Sequence, residues 1–294
     1  MGRTGDILRR LSRESPILIA GPTASGKSSL ALEIADRTGA TIVNADALQV
    51  YGDWRVLTAR PSVEDTARVP HARYGHVPGD RAYSVGAWLR DVAPLVERTQ
   101  IVIVGGTGLY FSALTEGLAD IPQTPTEVRA EADTRMLQEG ATALLGELDA
   151  STAARIEHSN PVRIQRAWEV LTATGRGLAD WQDDTGPALL PRAKTEAIVL
   201  NAPPDWLNAR IEARVAAMLA GGALEEARAN HPNWSSTRPS AKAIGAAELM
   251  AHLDNRLDLD TVAQRMITLT RQYAKRQRSW FRARMGDWIW HDAH

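Results

Sequence analysis

Lys27 and Ser28 end an octapeptide with the pattern G-x-x-x-x-G-K-[ST], whose residue types together suit the binding of a phosphate chain. Glycine lets backbone N–H groups turn inward around an anion, the lysine ammonium adds a positive charge, and the serine hydroxyl can ligate Mg²⁺. The pattern predicts that a diphosphate or triphosphate binds here, without indicating which compound binds or what reaction follows. This P-loop consists of Gly21, Pro22, Thr23, Ala24, Ser25, Gly26, Lys27 and Ser28.

A P-loop connects a buried strand to a helix, and the segments on either side of this one fit those two elements. Residues 17–20 form a short apolar run, which predicts a buried strand, and residues 28–38 predict a helix. Short apolar runs recur along the chain with helical segments between them. They indicate an α/β fold with a mostly parallel sheet that is covered on both faces. The further runs are residues 41–44, 101–104, 197–200 and, as a last short strand, 288–290.

Asp46 follows the second predicted strand and is the carboxylate best placed to reach the phosphate site, because ligands bind such sheets at the carboxyl ends of the strands. Two roles are compatible with this position. Asp46 can cap a helix over residues 47–51, take part in the chemistry, or do both, and we favour a role in the chemistry over a cap alone. The strand at 101–104 ends in Gly105-Gly106-Thr107 rather than in an acid. This argues against a motor ATPase, which usually carries a magnesium-binding carboxylate at such a strand end.

The middle of the chain lacks strand signals. Helical patterns run from residue 126 to 148, from 150 to 158 and from 161 to 174, and they are bounded by linker-like stretches at 121–125 and 183–191. We therefore expect a catalytic core of residues 1–118 and 192–294, interrupted by a helical insertion domain of residues 119–191.

Two groups of basic residues follow the fourth predicted strand. Arg210 and Arg214 share a helix face and either both point at the anion site or form an exposed pair with Glu212 or Glu225; spacing alone slightly favours the exposed pair. Residues 264–286 contain no acid, and one helix face there is basic, which suits either a solvated surface or contact with a phosphate backbone. That face comprises Arg271, Lys275, Arg278 and Arg282, and a second, apolar stripe comprises Val262, Met266, Leu269, Tyr273 and Trp280.

Composition narrows the class of protein further. The chain has 294 residues, no cysteine and a formal net charge of −1. The lack of cysteine excludes disulfides, thiolate metal sites and a cysteine nucleophile. A nearly neutral charge argues against a general nucleic-acid binder. No apolar run approaches the ~18 residues that a membrane helix needs, and no signal-peptide pattern precedes the P-loop, so we expect a cytoplasmic protein without a membrane partner.

Taken in order along the chain, these motifs resemble one family, the bacterial tRNA dimethylallyltransferases, also called isopentenylpyrophosphate–tRNA transferases. The P-loop in its Gly-Pro-Thr-Ala-Ser-Gly-Lys form and the Gly-Gly-Thr-Gly-Leu-Tyr segment are the most specific matches. The resemblance covers most of the chain and implies a P-loop NTPase-like core. The matching segments are residues 21–28, 46–51, 58–61, 70–71, 82–84, 104–110, 210–215 and 270–277.

The resemblance implies a reaction and assigns roles to residues. The dimethylallyl group would move from dimethylallyl diphosphate to N6 of adenosine 37, in tRNAs that read codons starting with U, and diphosphate would be released. The P-loop, often described as ATP-binding, would then hold this diphosphate, with Lys27, Arg214 and Mg²⁺ on Ser28 neutralising its charge. Asp46 would act as the general base toward the adenine amine.

The family also implies which residues contact RNA. We expect a monomer that binds the anticodon stem-loop of tRNA and takes adenosine 37 out of the base stack. The segment 242–247 lacks an aromatic residue and an arginine that the family usually has, and alanine follows Asp46 where serine is usual. The expected tRNA-contacting residues are Asp46, Ala47, Leu48, Gln49, Thr107, Arg129, Val162, Arg163, Ile164, Gln165, Arg166, Lys242, Gly245 and Ala247.

Three other functions are the alternatives. A P-loop kinase would leave the Gly-Gly-Thr-Gly-Leu-Tyr segment and the basic helix unexplained. An adenylate isopentenyltransferase acting on a free nucleotide is usually smaller and lacks the helical insertion. An RNA-binding module with a degenerate P-loop is at odds with the intact Lys27, Ser28 and Asp46.

Overall fold

Within residues 15–98 and 100–293, which the computed structural model describes, six strands form one sheet. Its order is β3-β2-β4-β1-β5-β6, and every adjacent pair is parallel, so all carboxyl ends lie along one edge. In chain order the strands are β1 (Ile17–Ala20), β2 (Thr41–Asn44), β3 (His71–Ala72), β4 (Ile101–Gly105), β5 (Glu196–Asn201) and β6 (Ile289–Asp292).

The central strands are apolar throughout because both faces of the sheet are covered. Every residue of β1 and β4 is buried. Successive residues point to opposite faces: Leu18 packs with Trp88 and Phe111 on one face, and Ile19 packs with Leu30 and Ile34 on the other. The P-loop follows the carboxyl end of β1. Because β1 is buried on both faces, the start of the loop is fixed in position.

Helices cover the sheet and extend beyond it. None of the helices over residues 15–98 and 100–293 combines the length and the apolar character that a membrane span requires. The helices are α1 (Lys27–Thr38), α2 (Val63–Arg68), α3 (Val85–Arg98), α4 (Gly108–Glu116), α5 (Thr126–Gln138), α6 (Ala141–Gly146), α7 (Ala150–Arg155), α8 (Pro161–Thr174), α9 (Leu178–Asp183), α10 (Pro204–Ala220), α11 (Ala223–Asn230), α12 (Ala246–Leu253) and α13 (Leu259–Arg284), with short 3₁₀ turns at Arg192–Lys194, His231–Asn233 and Pro239–Lys242.

The strand predictions at 17–20, 41–44, 101–104 and 197–200 are confirmed, and the last strand begins one residue later and ends two residues later than predicted. The helix predicted from residue 28 begins at Lys27. Strand β3 was not predicted, because a two-residue element carries no periodicity. The predicted helix over 150–158 ends at Arg155, and α9 was also missed.

The chain divides into two compact units, one of Met1–Thr115 with Leu189–His294 and one of Glu116–Ala188. The first, which we call the sheet unit, contains the sheet and the P-loop. The second, the helical unit, contains α5 to α9 and has its own small apolar core. Four buried residues form that core: Ala132, Leu144, Ile164 and Trp168.

Candidate active site

The P-loop places an uncapped helix start beside Lys27. Gly26 is the N-cap of α1 with a φ of 89°, a conformation that favours glycine, and no side chain caps the helix. The first turn of α1 contains no acid. The first N–H groups of a helix lack intrahelical acceptors and its dipole is positive at this end, so α1 begins with a site suited to an anion.

Lys27 is a partly desolvated cation. Its ammonium group donates to the carbonyl of Pro22 at 3.3 Å, within the loop itself. Burial lowers the pKa of Lys27 to about 8; the charge of Asp46 opposes this shift, and the charge of Arg214 adds to it. Because the cation is poorly compensated, an anion bound in the loop would stabilise its charged form.

Asp46 follows β2 and is held by backbone and side-chain hydrogen bonds. Its N–H donates to Oδ1 of the buried Asn44 at 2.8 Å, and its own Oδ1 accepts the N–H of Leu48 at 3.0 Å. The helix predicted over residues 47–51 is wrong: residues 47–50 form a turn, and Tyr51 makes a parallel bridge to Val77. An aspartate accepting the N–H two residues later favours a turn over a helix.

The loop after β4 supports Asp46 from the other side. The hydroxyl of Thr107 accepts the N–H of Ala47 at 2.9 Å, and the N–H of Thr107 donates to the carbonyl of Ala45 at 3.1 Å. A Cβ at Gly105 would lie 2.0 Å from that same carbonyl, so only glycine allows the two backbones to approach this closely. The Gly-Gly-Thr segment is therefore a backbone contact that fixes Asp46.

Arg214 lies on α10 and is partly buried beside Lys27 and Asp46. Burial lowers its pKa, Asp46 opposes that shift, and Arg210 adds to it. Arg210 donates from Nε to the P-loop carbonyl of Ala24 at 2.8 Å. The slight preference for an exposed pair was wrong, since spacing alone does not indicate which face of α10 meets the P-loop.

The proposed acid partners of those two arginines are engaged elsewhere. Glu212 pairs with Arg271, and Glu225 pairs with Arg228 at 3.2 Å. Neither acid therefore pairs with Arg210 or Arg214, and both arginines lie on the P-loop side of α10.

The negative charge of Asp46 acts on three tyrosines around the site. Burial raises the pKa of Tyr74, Tyr110 and Tyr273, and the charge of Asp46 raises each one further. Tyrosine hydroxyls are protonated at neutral pH even at their ordinary pKa, and these shifts favour that form further. The three hydroxyls provide neutral groups around one carboxylate, which suits a base that must accept a proton without competition from other anions.

One cavity in the sheet unit joins these charged residues to an apolar surface. Leu57, Val215 and Met266 belong to one buried cluster, and Met218 packs against it, so the apolar part of the lining is continuous. We call this part the apolar side and the part formed by Thr23, Lys27, Ser28 and Arg214 the phosphate side. The full lining is Thr23, Lys27, Ser28, Asp46, Leu48, Gln49, Leu57, Thr58, Ala59, Arg214, Val215, Met218, Ile244, Met266, Thr270 and Tyr273.

Sequence reasoning found the phosphate side and missed most of the apolar side. Thr58 and Ala59 lie in a segment quoted for the family resemblance, and Tyr273 and Met266 lie on the predicted apolar stripe, but none was singled out as a site residue. Met218 carried no signal at all, because a single methionine on an amphipathic helix has the appearance of an ordinary packing residue.

The loop that supplies Leu57, Thr58 and Ala59 is held by side-chain acceptors and donors. The carboxylate of Glu226 on α11 accepts the N–H groups of three consecutive residues, Arg55, Val56 and Leu57. Gln49 donates to the carbonyls of Thr58 and Ala59 at 2.8 and 3.0 Å. This wall of the cavity is therefore ordered by hydrogen bonds as well as by packing.

The expected RNA-contacting residues of the sheet unit differ in exposure. Lys242 and Ala247 are exposed. Gly245 is buried at the N-cap of α12, where a Cβ would lie 2.8 Å from the Cε of Met266 and 3.0 Å from the Cδ1 of Leu57. The backbone at Gly245 thus supports the apolar side of the cavity.

The basic helix α13 presents only part of the predicted face. Arg271 pairs with Glu212. Among residues 15–98 and 100–293, no ion pair engages Lys275, Arg278 or Arg282. Burial and the neighbouring Arg282 both lower the pKa of Arg278. The buried stripe also departs from the predicted one, since it runs through Val262, Met266, Ala274, Gln277 and Phe281.

In the helical unit, three of the expected RNA contacts share one buried acid. Glu169 is buried and lies 3.0 Å from Arg129 and 3.5 Å from Arg166, and its Oε1 accepts from Gln165 at 3.2 Å. Both arginines are therefore partly neutralised on their own unit.

The other expected contacts in that unit differ in exposure. Ile164 is 1% exposed and its side chain packs into the core, whereas Val162 is 75% exposed. Arg163 lies 3.8 Å from Glu157, and both side chains are largely exposed. The exposed part of this run is therefore its two N-terminal residues.

Fold and site together define an α/β protein of the P-loop NTPase-like class, in which the phosphate site opens onto an apolar surface beside a single aspartate. Comparison with known families and proteins identifies the particular family. The family model for IPP transferase matches residues 49–284, and that for isopentenyl transferase matches residues 15–72. The chain belongs to the IPP transferase family.

Individual relatives agree with this assignment along nearly the whole chain. The tRNA dimethylallyltransferase of Paracoccus denitrificans is 58% identical over 97% of this chain and 96% of its own length. That of a Ruegeria species is 59% identical over 95% of this chain and 96% of its own length.

Solved structures are similar as well. The tRNA isopentenylpyrophosphate transferase of Bacillus halodurans is 28% identical with a TM-score of 0.66, and the match covers 95% of this chain and 90% of that one. A eukaryotic dimethylallyltransferase acting on tRNA is 25% identical with a TM-score of 0.79, and the match covers 95% of this chain and 73% of that one.

Proposed function

We propose that this protein transfers the dimethylallyl group from dimethylallyl diphosphate to N6 of adenosine 37 in tRNAs that read codons starting with U, and that it releases diphosphate. The observation that carries the proposal is the cavity in which Lys27 and Arg214 adjoin Asp46 and an apolar side. An anionic head with a short hydrocarbon tail matches these two surfaces better than a nucleoside triphosphate does. The names of the relatives support tRNA as the acceptor and a dimethylallyl group as the group transferred.

The phosphate side would act on the leaving group. As the allylic C–O bond breaks, its electron pair moves to the diphosphate, and negative charge develops beside Lys27, Arg214 and the first N–H groups of α1. Cations and dipoles that are already oriented stabilise such charge without reorganisation, and in a partly buried site they act strongly. The apolar side would shield the allylic carbon from water.

Asp46 would act on the nucleophile. The lone pair of an adenine amine is delocalised, so attack on the allylic carbon becomes favourable only as a proton is removed from N6. The new bond joins N6 to the allylic carbon, and the proton passes to a carboxylate oxygen of Asp46. Asn44, Leu48 and Thr107 would hold the turn that carries this carboxylate.

Mg²⁺ fits the phosphate side through Ser28. Mg²⁺ in phosphate sites usually takes one or two protein oxygens together with phosphate oxygens and waters, and Ser28 lines the cavity next to Lys27 and Asp46. In residues 15–98 and 100–293 no group of three or more acid, histidine or cysteine side chains could hold a metal alone. Bound Mg²⁺ would supply additional positive charge to the diphosphate.

We assign tRNA contact to both units. In the sheet unit, three cations of the predicted basic face of α13, Lys275, Arg278 and Arg282, would contact the phosphate backbone. The protein would work as a monomer in the cytoplasm, where its tRNA is found. The further residues assigned to tRNA contact are Asp46, Ala47, Leu48, Gln49, Thr107, Lys242 and Ala247 in the sheet unit, and Arg129, Val162, Arg163, Gln165 and Arg166 in the helical unit. The buried Ile164 and Gly245 would support these segments by packing.

The test is label transfer from radioactive dimethylallyl diphosphate to an anticodon stem-loop. We expect label in a stem-loop with adenosine at position 37, none in the same stem-loop with guanosine there, and little in free AMP. Preferential labelling of AMP would instead indicate a free-nucleotide isopentenyltransferase, and phosphoryl transfer from ATP would indicate a kinase. Stem-loop affinity should fall steeply between low and high salt.

A further inference from the structure

Gln277 is a buried polar residue that the chemistry described so far does not use. It lies on α13 and is only 5% exposed. Its Oε1 accepts the N–H of Thr23 in the P-loop at 2.8 Å, and its Nε2 donates to the carbonyl of Gly106 at 2.9 Å. One amide group thus joins the phosphate side of the cavity to the loop after β4.

That loop is the support of Asp46. Thr107, next to Gly106, holds the N–H of Ala47 through its hydroxyl. A Cβ at Gly106 would lie 2.2 Å from Nε2 of Gln277 and 3.4 Å from Oδ2 of Asp46. The amide and the carboxylate therefore flank the same short piece of backbone, and glycine at 106 leaves room for both.

The two hydrogen bonds require a side chain with one acceptor and one donor at fixed spacing. Glutamine has both. Ionised glutamate of the same shape would still accept from Thr23 but could not donate to Gly106, and methionine would leave both backbone groups unpaired in a buried site. The arrangement thus needs a side chain that both accepts and donates, which an amide does at any pH.

We propose that Gln277 is a positioning residue, whose amide sets the spacing between the phosphate-binding loop and the loop after β4, which supports the turn that carries Asp46. The inference rests on the proposed function, in which leaving group and base act on one substrate pair at the same time. Chemistry of this kind depends on geometry far more than binding does, because an error of about 1 Å can cost ~10²-fold in rate. Gln277 should therefore affect turnover more than the binding of either substrate.

The test compares Gln277→Glu and Gln277→Met with the parent protein. The measurements are kcat and KM for dimethylallyl diphosphate, the Kd of the stem-loop by fluorescence anisotropy, and the Kd of inorganic diphosphate by calorimetry. We expect Gln277→Met to lose about 10- to 100-fold in kcat, with the Kd of the stem-loop within about twofold of the parent. Matched controls are Gln272→Glu and Gln272→Met, at an exposed glutamine on the same helix, which should keep the parent rate.

The glutamate variant supplies a readout that a purely structural role would not give. Its rate relative to the parent should rise as pH falls through the pKa of the new carboxyl group, because a protonated carboxylic acid both accepts and donates as the amide does. It also remains informative if Gln277→Met fails to fold, since it retains the bond from Thr23.

The outcomes separate this inference from the function on which it rests. A parent that transfers no label overturns the proposed function and the inference together. An active parent with Gln277 variants of unchanged kcat overturns the inference alone. So do variants whose stem-loop and diphosphate affinities fall in proportion to kcat, or a Gln277→Glu rate ratio that is flat with pH.

Discussion

The two sides of the cavity are built in different ways. The phosphate side comes mainly from the P-loop, eight consecutive residues that end in the first turn of α1. The apolar side is assembled from four separate segments of the chain, which contribute Leu57, Val215 with Met218, Ile244, and Met266. Binding of an anion can thus be encoded locally, whereas the shape that selects its organic part depends on side chains brought together by the whole sheet unit.

The most severe way to break this comparison is to remove the group at which the two sides meet. Asp46→Asn should lower kcat by ~10²–10⁴, as expected for a lost general base, with stem-loop affinity nearly unchanged. Asparagine keeps an acceptor for the N–H of Leu48, so the turn should persist. Single-turnover label transfer gives the rate and anisotropy the affinity. Turnover close to that of the parent would reduce Asp46 to a turn-forming residue.

Loss of the charge on the phosphate side should have the next largest effect. Lys27→Met should reduce kcat/KM for dimethylallyl diphosphate by ~10²–10³, since it removes one preorganised cation from the developing negative charge. It should also weaken the binding of inorganic diphosphate, which calorimetry measures. Lys194→Met, at a lysine in the 3₁₀ turn before β5, is the control and should leave both quantities unchanged. A variant that binds diphosphate normally would indicate that the backbone alone holds the anion.

The same substitution should stabilise the ligand-free protein. Burial lowers the pKa of Lys27 to about 8, so between about pH 8 and the ordinary lysine value the unfolded chain binds more protons than the folded one. Stability must rise with pH across that window, and below it the charged lysine costs free energy. At pH 7, Lys27→Met should therefore raise the free energy of unfolding by about 1–3 kcal/mol, and the gain should shrink toward pH 10. Urea unfolding at both pH values measures this, and a gain independent of pH would refute the electrostatic cause.

The smallest effect should come from the apolar side, and it should affect only substrates with a hydrocarbon tail. Met218→Ala removes part of one side chain from a partly exposed surface, worth about 1–1.5 kcal/mol, so the KM for dimethylallyl diphosphate should rise about tenfold. The Kd of inorganic diphosphate, which lacks the tail, should stay the same. Equal losses for both compounds would mean that Met218 acts through the fold and not by touching the tail.

The features that the sequence predicts are those that depend on a short, continuous piece of backbone. The P-loop, four of the strands and Asp46 follow from motifs or from continuous apolar runs, because double burial leaves little choice of residue. The turn after Asp46 was misread as a helix, since the Thr107 hydroxyl that holds Ala47 lies far away in sequence. Gln277 was not predicted as a site residue for a similar reason. A glutamine on a helix rich in cations is expected to be solvated, and its burial depends on contact with Gly106, which is far away in sequence.

Glu226 has a further consequence for selectivity between anions. Three successive N–H groups, such as those of residues 55–57, form a concave nest that attracts phosphate oxygens much as a P-loop does. The carboxylate of Glu226 occupies this position and accepts all three N–H groups. These three N–H groups are therefore not open to a phosphate oxygen, whereas the first N–H groups of α1 have no side-chain cap.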